Sequence, residues 1–154
     1  MNRGFTLIET LVYLALFALM VGGIVACAYV LFASSDRNQT VAMIEEEKNF
    51  LTSKIQWILG SAQTIRSPSA GSSGLMLVAE LFDGTERTIG LADGNIELDG
   101  TSLNNSNTII ENLIFIHSNT GNAEHIQAGF TITAKTGGGA AVSRTASTTW
   151  YVPR

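Results

Sequence analysis

A long apolar stretch lies near the start of the sequence. From Thr10 to Ala33 the chain contains no Asp, Glu, Lys, Arg or His. At about 1.5 Å rise per residue, a helix over this stretch crosses a hydrocarbon layer of about 30 Å. The pattern therefore predicts a membrane-spanning helix.

A second apolar pattern follows, with residues at spacings of three, four or seven, which is typical of one face of a helix. These residues are Val41, Ile44, Leu51, Ile55, Ile58, Ala62 and Ile65. No proline occurs between Phe5 and Arg66. The sequence thus predicts one nearly unbroken helix, with residues 5–33 in the membrane and residues 34–66 as an outer amphipathic half. We expect the apolar face of that half to pack on a sheet.

The remaining chain has the pattern of short strands. Residues 67–74 contain only Ser, Pro, Ala and Gly and predict a linker. In residues 75–154, strand-like segments alternate with turn signals such as Asp83-Gly84 and Asp93-Gly94. The sequence thus predicts an α+β fold, in which a long N-terminal α-helix packs on a C-terminal antiparallel β-sheet.

Composition excludes some classes of function. The chain has 154 residues and a net charge of −4, which argues against an extended basic surface, so nucleic acid is not indicated as a partner. Cys27 is the only cysteine, and it lies in the apolar stretch. An intramolecular disulfide is therefore impossible, and the part of the chain beyond the membrane must be held by packing and hydrogen bonds.

One charged residue interrupts the apolar start of the chain. Glu9 lies between Ile8 and Thr10. A carboxylate costs roughly 2.5–3.5 kcal/mol at the centre of a bilayer and less near the interface. Because a simple anchor gains nothing from that cost, we expect Glu9 to have a partner for its charge.

Residues Gly4 to Glu9 resemble the cleavage and methylation motif of type IV prepilins and of type II secretion pseudopilins. That motif is a short basic leader ending in Gly, then Phe-Thr-Leu-Ile-Glu, then an apolar helix, and Met1-Asn2-Arg3-Gly4 matches the leader. The resemblance implies a pilin-like fold and a leader peptide over residues 1–4. It also implies that a prepilin peptidase cuts between Gly4 and Phe5 and methylates the Phe5 amine. In the family, the residue equivalent to Glu9 meets the Phe5 amine of a neighbouring subunit during assembly.

The resemblance predicts a structural subunit of a type IV pilus or pseudopilus, with no enzymatic activity and no cofactor. Major pilins of the family often carry a proline in the membrane half of the helix, so its absence here favours a minor, initiating or accessory subunit. A major pilin is the alternative. The implied partners are prepilin peptidase, other pilin or pseudopilin subunits contacted through the helix, and the inner-membrane assembly platform. Trp57 lies off the apolar face and is a candidate for contact with a neighbouring subunit.

The charges on either side of the apolar stretch predict its orientation in the membrane. Arg3 precedes the apolar stretch, and the first charges after it, Asp36 and Arg37, cancel. This bias favours an N-terminus in the cytoplasm and a single pass through the cytoplasmic (inner) membrane. The bulk of the chain then enters an extracytoplasmic pilus or pseudopilus.

Other interpretations of the N-terminal region remain open. A plain signal anchor would carry Glu9 without using it. A cleaved secretory signal is disfavoured because its apolar region is usually about 7–15 residues long. Residues 24–27, Ile-Val-Ala-Cys, resemble a lipobox, although the apolar run continues beyond Cys27. A membrane-anchored extracytoplasmic binding module is the alternative function from another class, and Glu9→Leu distinguishes it from a filament subunit.

Few residues indicate other chemistry. Asp93, Asn95, Glu97 and Asp99 alternate oxygen ligands, but alternation along a strand puts them on one face rather than around a calcium ion. We therefore predict a polar hairpin face and no metal site. His117 and His125 have no Cys or His at ligand spacing and no nucleophile–base motif. They are predicted to be surface or strand histidines, and no catalytic residue is predicted.

Overall fold

A computed structural model describes residues 6–120, 123–135 and 141–151. The described residues form one α-helix and nine β-strands. These are α1 (Leu7–Ser61), β1 (Ala62–Ser67), β2 (Ser72–Gly74), β3 (Leu77–Leu81), β4 (Glu86–Ala92), β5 (Asn95–Leu98), β6 (Thr101–Ser102), β7 (Thr108–Thr120), β8 (Ala123–Ala134) and β9 (Ser143–Tyr151). The α+β prediction is thus confirmed, while the predicted leader and Phe5 lie outside the described residues.

The chain divides into two compact units, an N-terminal unit, Met1–Gln39, and a C-terminal unit, Thr40–Arg154. The boundary between them falls within α1. Each unit therefore contains part of the helix, and only the C-terminal unit contains strands.

The strands of the C-terminal unit form two antiparallel sheets rather than the single sheet that the sequence predicted. The five-stranded sheet has the order β1-β3-β4-β5-β6, and the four-stranded sheet has the order β2-β7-β8-β9. Neighbouring strands in both sheets are antiparallel. Short hairpins connect most consecutive strands, as expected for antiparallel pairing.

Asp–Gly pairs lie in three of the turns, including the predicted Asp83-Gly84 between β3 and β4, and in the other two both residues have positive φ. Between β4 and β5, Asp93 and Gly94 have φ values of 50° and 74°. Between β5 and β6, Asp99 and Gly100 have φ values of 52° and 79°. Positive φ at both central residues is the requirement of the two-residue hairpin turn that matches strand twist. The turn predicted at Asp93-Gly94 is confirmed, whereas the idea of four oxygen ligands on one strand face is wrong, because Asp93 and Asp99 lie in turns.

The buried core of the C-terminal unit combines the helix with both sheets. The predicted apolar face of the helix is confirmed for Ile44, Leu51, Ile55 and Ile58, which are fully buried. Val41 is only half-buried, and Leu59, outside the predicted set, is buried. Large side chains from the sheets complete this core, among them Leu77, Ile89, Ile96, Ile110, Phe115, Ile126, Phe130 and Ile132.

The predicted end of the helix at Arg66 is wrong. The helix ends at Ser61, and β1 pairs with β3, with Ala62 opposite Leu81 and Ile65 opposite Ala79. The register of the β1–β3 pairing shifts between Ala62 and Thr64, which indicates a β-bulge. Because of the extra residue, Ala62 and Ile65 can both face inward although they are three residues apart, which is also a helical spacing. That spacing made the strand resemble another helical turn in the sequence.

The predicted linker over residues 67–74 is also partly wrong, because its end forms β2. Ser72, Ser73 and Gly74 pair with His117, Ile116 and Phe115 of β7. The backbone N–H of Gly71 donates to the carbonyl of His117 at 2.8 Å. Composition alone indicated a free linker, whereas pairing with a long neighbouring strand orders the segment.

Candidate assembly surface

The apolar part of α1 in the N-terminal unit is largely exposed among the described residues. Its most apolar 18 residues have a mean hydropathy of 2.5, and none of them is buried. The side chains that expose more than half of their surface include Leu7, Ile8, Leu11, Leu14, Phe17, Leu19, Met20, Ile24, Val25, Tyr29, Leu31 and Phe32. By length and composition this helix can cross a membrane.

The first turn of α1 satisfies its polar groups locally. The carbonyl of Thr6 accepts hydrogen bonds from the N–H groups of Glu9 and Thr10 at 3.1 and 3.2 Å. The hydroxyl of Thr10 donates to the carbonyl of Leu7 at 3.0 Å. Because this hydroxyl bonds back to the helix, Thr10 can lie in an apolar environment without an unpaired donor.

Glu9 lies in the first turn of α1, where the helix dipole favours a negative charge. The Tyr13 hydroxyl, one turn later on the same face, donates to Glu9 Oε1 at 3.3 Å. A carboxylate accepts about four hydrogen bonds, so a single neutral donor leaves it the capacity to bind a cation. Sequence reasoning missed Tyr13, although its four-residue spacing from Glu9 was the available signal.

The profile of the prokaryotic N-terminal methylation motif matches residues 1–25. The matched region contains Gly4, Phe5 and Glu9, and it runs into the exposed apolar helix. The N-terminal region of the chain therefore carries the motif of type IV prepilins and pseudopilins, and this supports that family for the chain. No curated protein and no solved structure matches the chain at a significant level.

The motif and the apolar helix together point to a general role. They support a pilin or pseudopilin subunit that is anchored in the inner membrane through its N-terminal apolar helix. The pilin family is structural rather than enzymatic. Gly4 and Phe5 lie outside the described residues, so Glu9 is the predicted site residue whose surroundings the structure describes.

Two carboxylates of α1 in the C-terminal unit have partners within the chain. Glu45 of α1 pairs with Lys48 and with Arg144 Nε of β9, the latter at 2.9 Å. The hydrogen bond from Lys48 and that from Arg144 lower the pKa of Glu45. Glu47 accepts from the backbone N–H of Asn105 and from the Thr108 hydroxyl. The contacts of Glu45 with Arg144, and of Glu47 with Asn105 and Thr108, attach the helix to the β-strand region.

The two histidines lie on strands, but His117 is not at the surface. His117 is 3% exposed, with Nδ1 at 2.8 Å from the Pro68 carbonyl and Nε2 at 2.7 Å from Glu124 Oε1. It thereby joins the segment after β1 to the β7–β8 hairpin. His125 is half-buried, and its ring centroid lies 5.7 Å from that of Tyr151. Among the described residues no group of three or more His, Cys, Asp or Glu could hold a metal ion.

Trp57 lies off the buried face of α1, with 52% of its surface exposed. The Lys54 ammonium is 5.9 Å from its ring centroid and 5.7 Å from that of Phe50. These distances are within the range of cation–π attraction. The residue is therefore accessible, as contact with another subunit requires, and that contact stays a prediction.

Proposed function

We propose that the chain is a minor, initiating or accessory subunit of a type IV pilus or pseudopilus. The observation that carries this proposal is the pairing of the N-terminal methylation motif with an apolar helix that the chain itself does not cover. An apolar helix of this kind is suited to lipid before assembly and to neighbouring helices afterwards. The absence of proline from the membrane half supports a minor rather than a major subunit.

The proposed processing follows from the motif. Prepilin peptidase would cut between Gly4 and Phe5 and methylate the new amine of Phe5. A residue without a Cβ lets a protease approach the backbone closely, which gives Gly4 a physical role. The Phe5 amine is cationic at neutral pH, so cleavage creates a positive charge four residues before Glu9.

Glu9 would then hold the subunit in register. In an assembled filament its carboxylate would bind the Phe5 amine of a neighbouring subunit. Tyr13 is compatible with this role, because its hydroxyl contacts the carboxylate without neutralising it. A low dielectric strengthens such a pair and makes an unpaired member expensive.

The proposed topology is a single pass with the N-terminus in the cytoplasm. Arg3 lies before the apolar helix, and Asp36 and Arg37 cancel after it. The C-terminal unit would then lie on the extracytoplasmic side. The proposed partners are prepilin peptidase, other pilin or pseudopilin subunits and the inner-membrane assembly platform.

Intact-mass spectrometry of membranes tests the processing step. With active prepilin peptidase, we expect loss of residues 1–4 and gain of one methyl group on Phe5. Gly4→Val should block both changes, while Gly22→Val, in α1 and away from the cut site, should leave them intact. An unprocessed Met1 terminus beside active peptidase would overturn the proposal, and a lipid on Cys27 would favour the lipoprotein alternative.

A further inference from the structure

A recess of about 270 Å³ lies on the four-stranded sheet. Most of its lining residues alternate with buried positions along β7, β8 and β9. Ile114 and Thr131 are at least partly exposed, whereas Phe115 and Phe130 are buried, although Phe130 and Ala146 also border the recess. The recess therefore lies on the face of the sheet turned away from the core.

Two backbone features open this recess. Strand β7 has a register shift between Glu111 and Ile114, and Asn112 within it has a φ of 55°. A bulge of this kind redirects a side chain, and it often occurs next to a binding site. Gly129 of β8, opposite Ile114 and Ser147, contributes no side chain to the floor. Glycine inside a strand often marks close approach by a ligand.

The recess is uncharged, and its exposed surface is mostly apolar with several polar side chains among the lining residues. Its polar side chains are the amides of Asn112 and Gln127 and the hydroxyls of Thr131, Thr145 and Ser147. None of the described residues lining it is ionisable. Glu111, adjacent in sequence, is exposed and is not among the lining residues. Amide and hydroxyl groups both donate and accept hydrogen bonds, so the rim can match hydroxyls of either orientation.

The bonds that these groups make to one another are weak. Gln127 Nε2 donates to Ser147 Oγ at 3.4 Å, and the hydroxyls of Thr131 and Thr145 are also 3.4 Å apart. Good bonds of these types are closer to about 2.8–3.0 Å. Better-placed groups from a ligand can therefore replace them at little cost.

We propose that this recess binds one ring of a neutral sugar. The hydroxyls of a sugar match the amide and hydroxyl rim, and its C–H face matches Ile114 and Ile116 on the floor. A charged ligand would lose its hydration without gaining an opposite charge in the recess. An apolar ligand would leave the amide and hydroxyl groups of the rim without hydrogen-bond partners. The volume is below the roughly 300–1,000 Å³ of pockets for drug-sized ligands, which suits a single small ring. So few contacting atoms give a Kd in the millimolar range.

Two pairs of variants isolate the recess. A Cβ added at Gly129 would lie 3.7 Å from Ile114 Cγ2 and 3.8 Å from the Ala146 carbonyl oxygen. Gly129→Ala therefore fills the floor without a clash. Its control is Gly90→Ala in β4, where the nearest atom would be Met76 Cγ at 3.8 Å.

The second pair removes a hydroxyl. Thr131→Val takes one from the rim. Thr133→Val takes one from the same strand and face, where Thr133 contacts Ser143 at 3.0 Å outside the recess.

Amide NMR of the full chain in zwitterionic micelles without sugar head groups provides the test. The probes are the methyl glycosides of glucose, galactose and N-acetylglucosamine. We expect saturable shifts of the Asn112 and Gln127 side-chain amides with at least one probe. Gly129→Ala and Thr131→Val should weaken binding by about tenfold, and both controls should bind like the parent chain.

Four results would overturn the proposal. One is the absence of saturable shifts with all three probes. Another is equal binding by Gly129→Ala and the parent chain. The third is equal binding of cyclohexanol, which would identify an unselective apolar recess. The fourth is amide shifts that change with protein concentration in the absence of sugar, because they would show that this face of the sheet mediates self-association.

Discussion

Two isoleucines of the same helix show how differently the two units are built. Ile24, in the N-terminal unit, exposes 57% of its surface, whereas Ile55, in the C-terminal unit, exposes none. In one unit the apolar residues surround the helix, and in the other they form one face against the sheets. The apolar surface of the N-terminal unit thus remains available to lipid and to other subunits, while that of the C-terminal unit stabilises the fold of the chain itself.

Two carboxylates differ in the same way. Glu45 contacts two cationic side chains of its own chain, Lys48 and Arg144. Glu9 contacts the neutral hydroxyl of Tyr13. Glu45 is thus paired within the C-terminal unit, whereas Glu9 of the N-terminal unit presents a charge whose proposed partner lies on another subunit. The comparison suggests a separation of tasks, with assembly in the N-terminal unit and stability in the C-terminal unit.

The largest effect is expected for Glu9→Leu. A neighbour's Phe5 amine would lose its partner, and leaving one member of a buried pair alone costs about 3–5 kcal/mol. The amount of the protein in purified filaments, normalised to that in membranes, should fall sharply. Glu9→Gln, which keeps the contact with Tyr13 but not the charge, should behave similarly. Unchanged incorporation of Glu9→Leu would identify a plain membrane anchor and remove the proposed separation of tasks.

Ile55→Ala should destabilise the C-terminal unit by about 2–5 kcal/mol, because it opens a cavity in a fully buried site. Hydrogen exchange of β3 and β8 amides in the full chain measures this loss. The matched control is Ile24→Ala, for which we expect no change in the same amides. A loss below about 0.5 kcal/mol for Ile55→Ala would contradict the described core.

Asn104→Ala should cost about 1–3 kcal/mol. Asn104 is 9% exposed, and its Oδ1 accepts from the Ile96 N–H at 2.9 Å. Its Nδ2 donates to Asn95 Oδ1 at 3.0 Å. Alanine leaves the Ile96 N–H without this acceptor. Denaturation midpoints should fall for Asn104→Ala and stay unchanged for the exposed neighbour Ser106→Ala, and equal midpoints would show that the network contributes nothing.

The smallest effect is expected at Asp99 and depends on pH. A hydrogen bond from the Thr88 N–H, and next one from Arg87, lower the pKa of Asp99. The pKa of Asp99 is lower in the folded chain than in the unfolded chain, where it is about 3.9. The ionised carboxylate therefore stabilises the fold at pH values above about 3.9, and this contribution is lost as the pH falls from there through the folded-state pKa. Because the pair is partly exposed, the contribution should stay below about 1 kcal/mol.

Asp99→Asn tests this contribution. Asparagine tolerates the positive φ of this position, so the turn should persist. Stability should fall slightly near neutral pH and depend less on pH below about 4 than in the parent chain. An unchanged acid dependence would show that Asp99 does not contribute.

Local patterns in the sequence determined several features of this protein. The uncharged run predicted the apolar helix, since length and composition decide whether a helix can cross a bilayer. The helical spacing from Ile44 to Ile58 predicted the buried face, because side chains three and four residues apart share one side of a helix. Asp93-Gly94 predicted its turn, because few residue types tolerate positive φ.

Pairing between distant segments decided the rest. The helix ends at Ser61 because β3 pairs with the residues that follow, and the apparent linker contributes β2 because β7 lies beside it. His117 is buried because the Pro68 segment and Glu124 meet at its ring. The recess at Gly129 requires three strands aligned in register. Such contacts join residues far apart in the chain, so no short stretch of sequence contains the information that sets them.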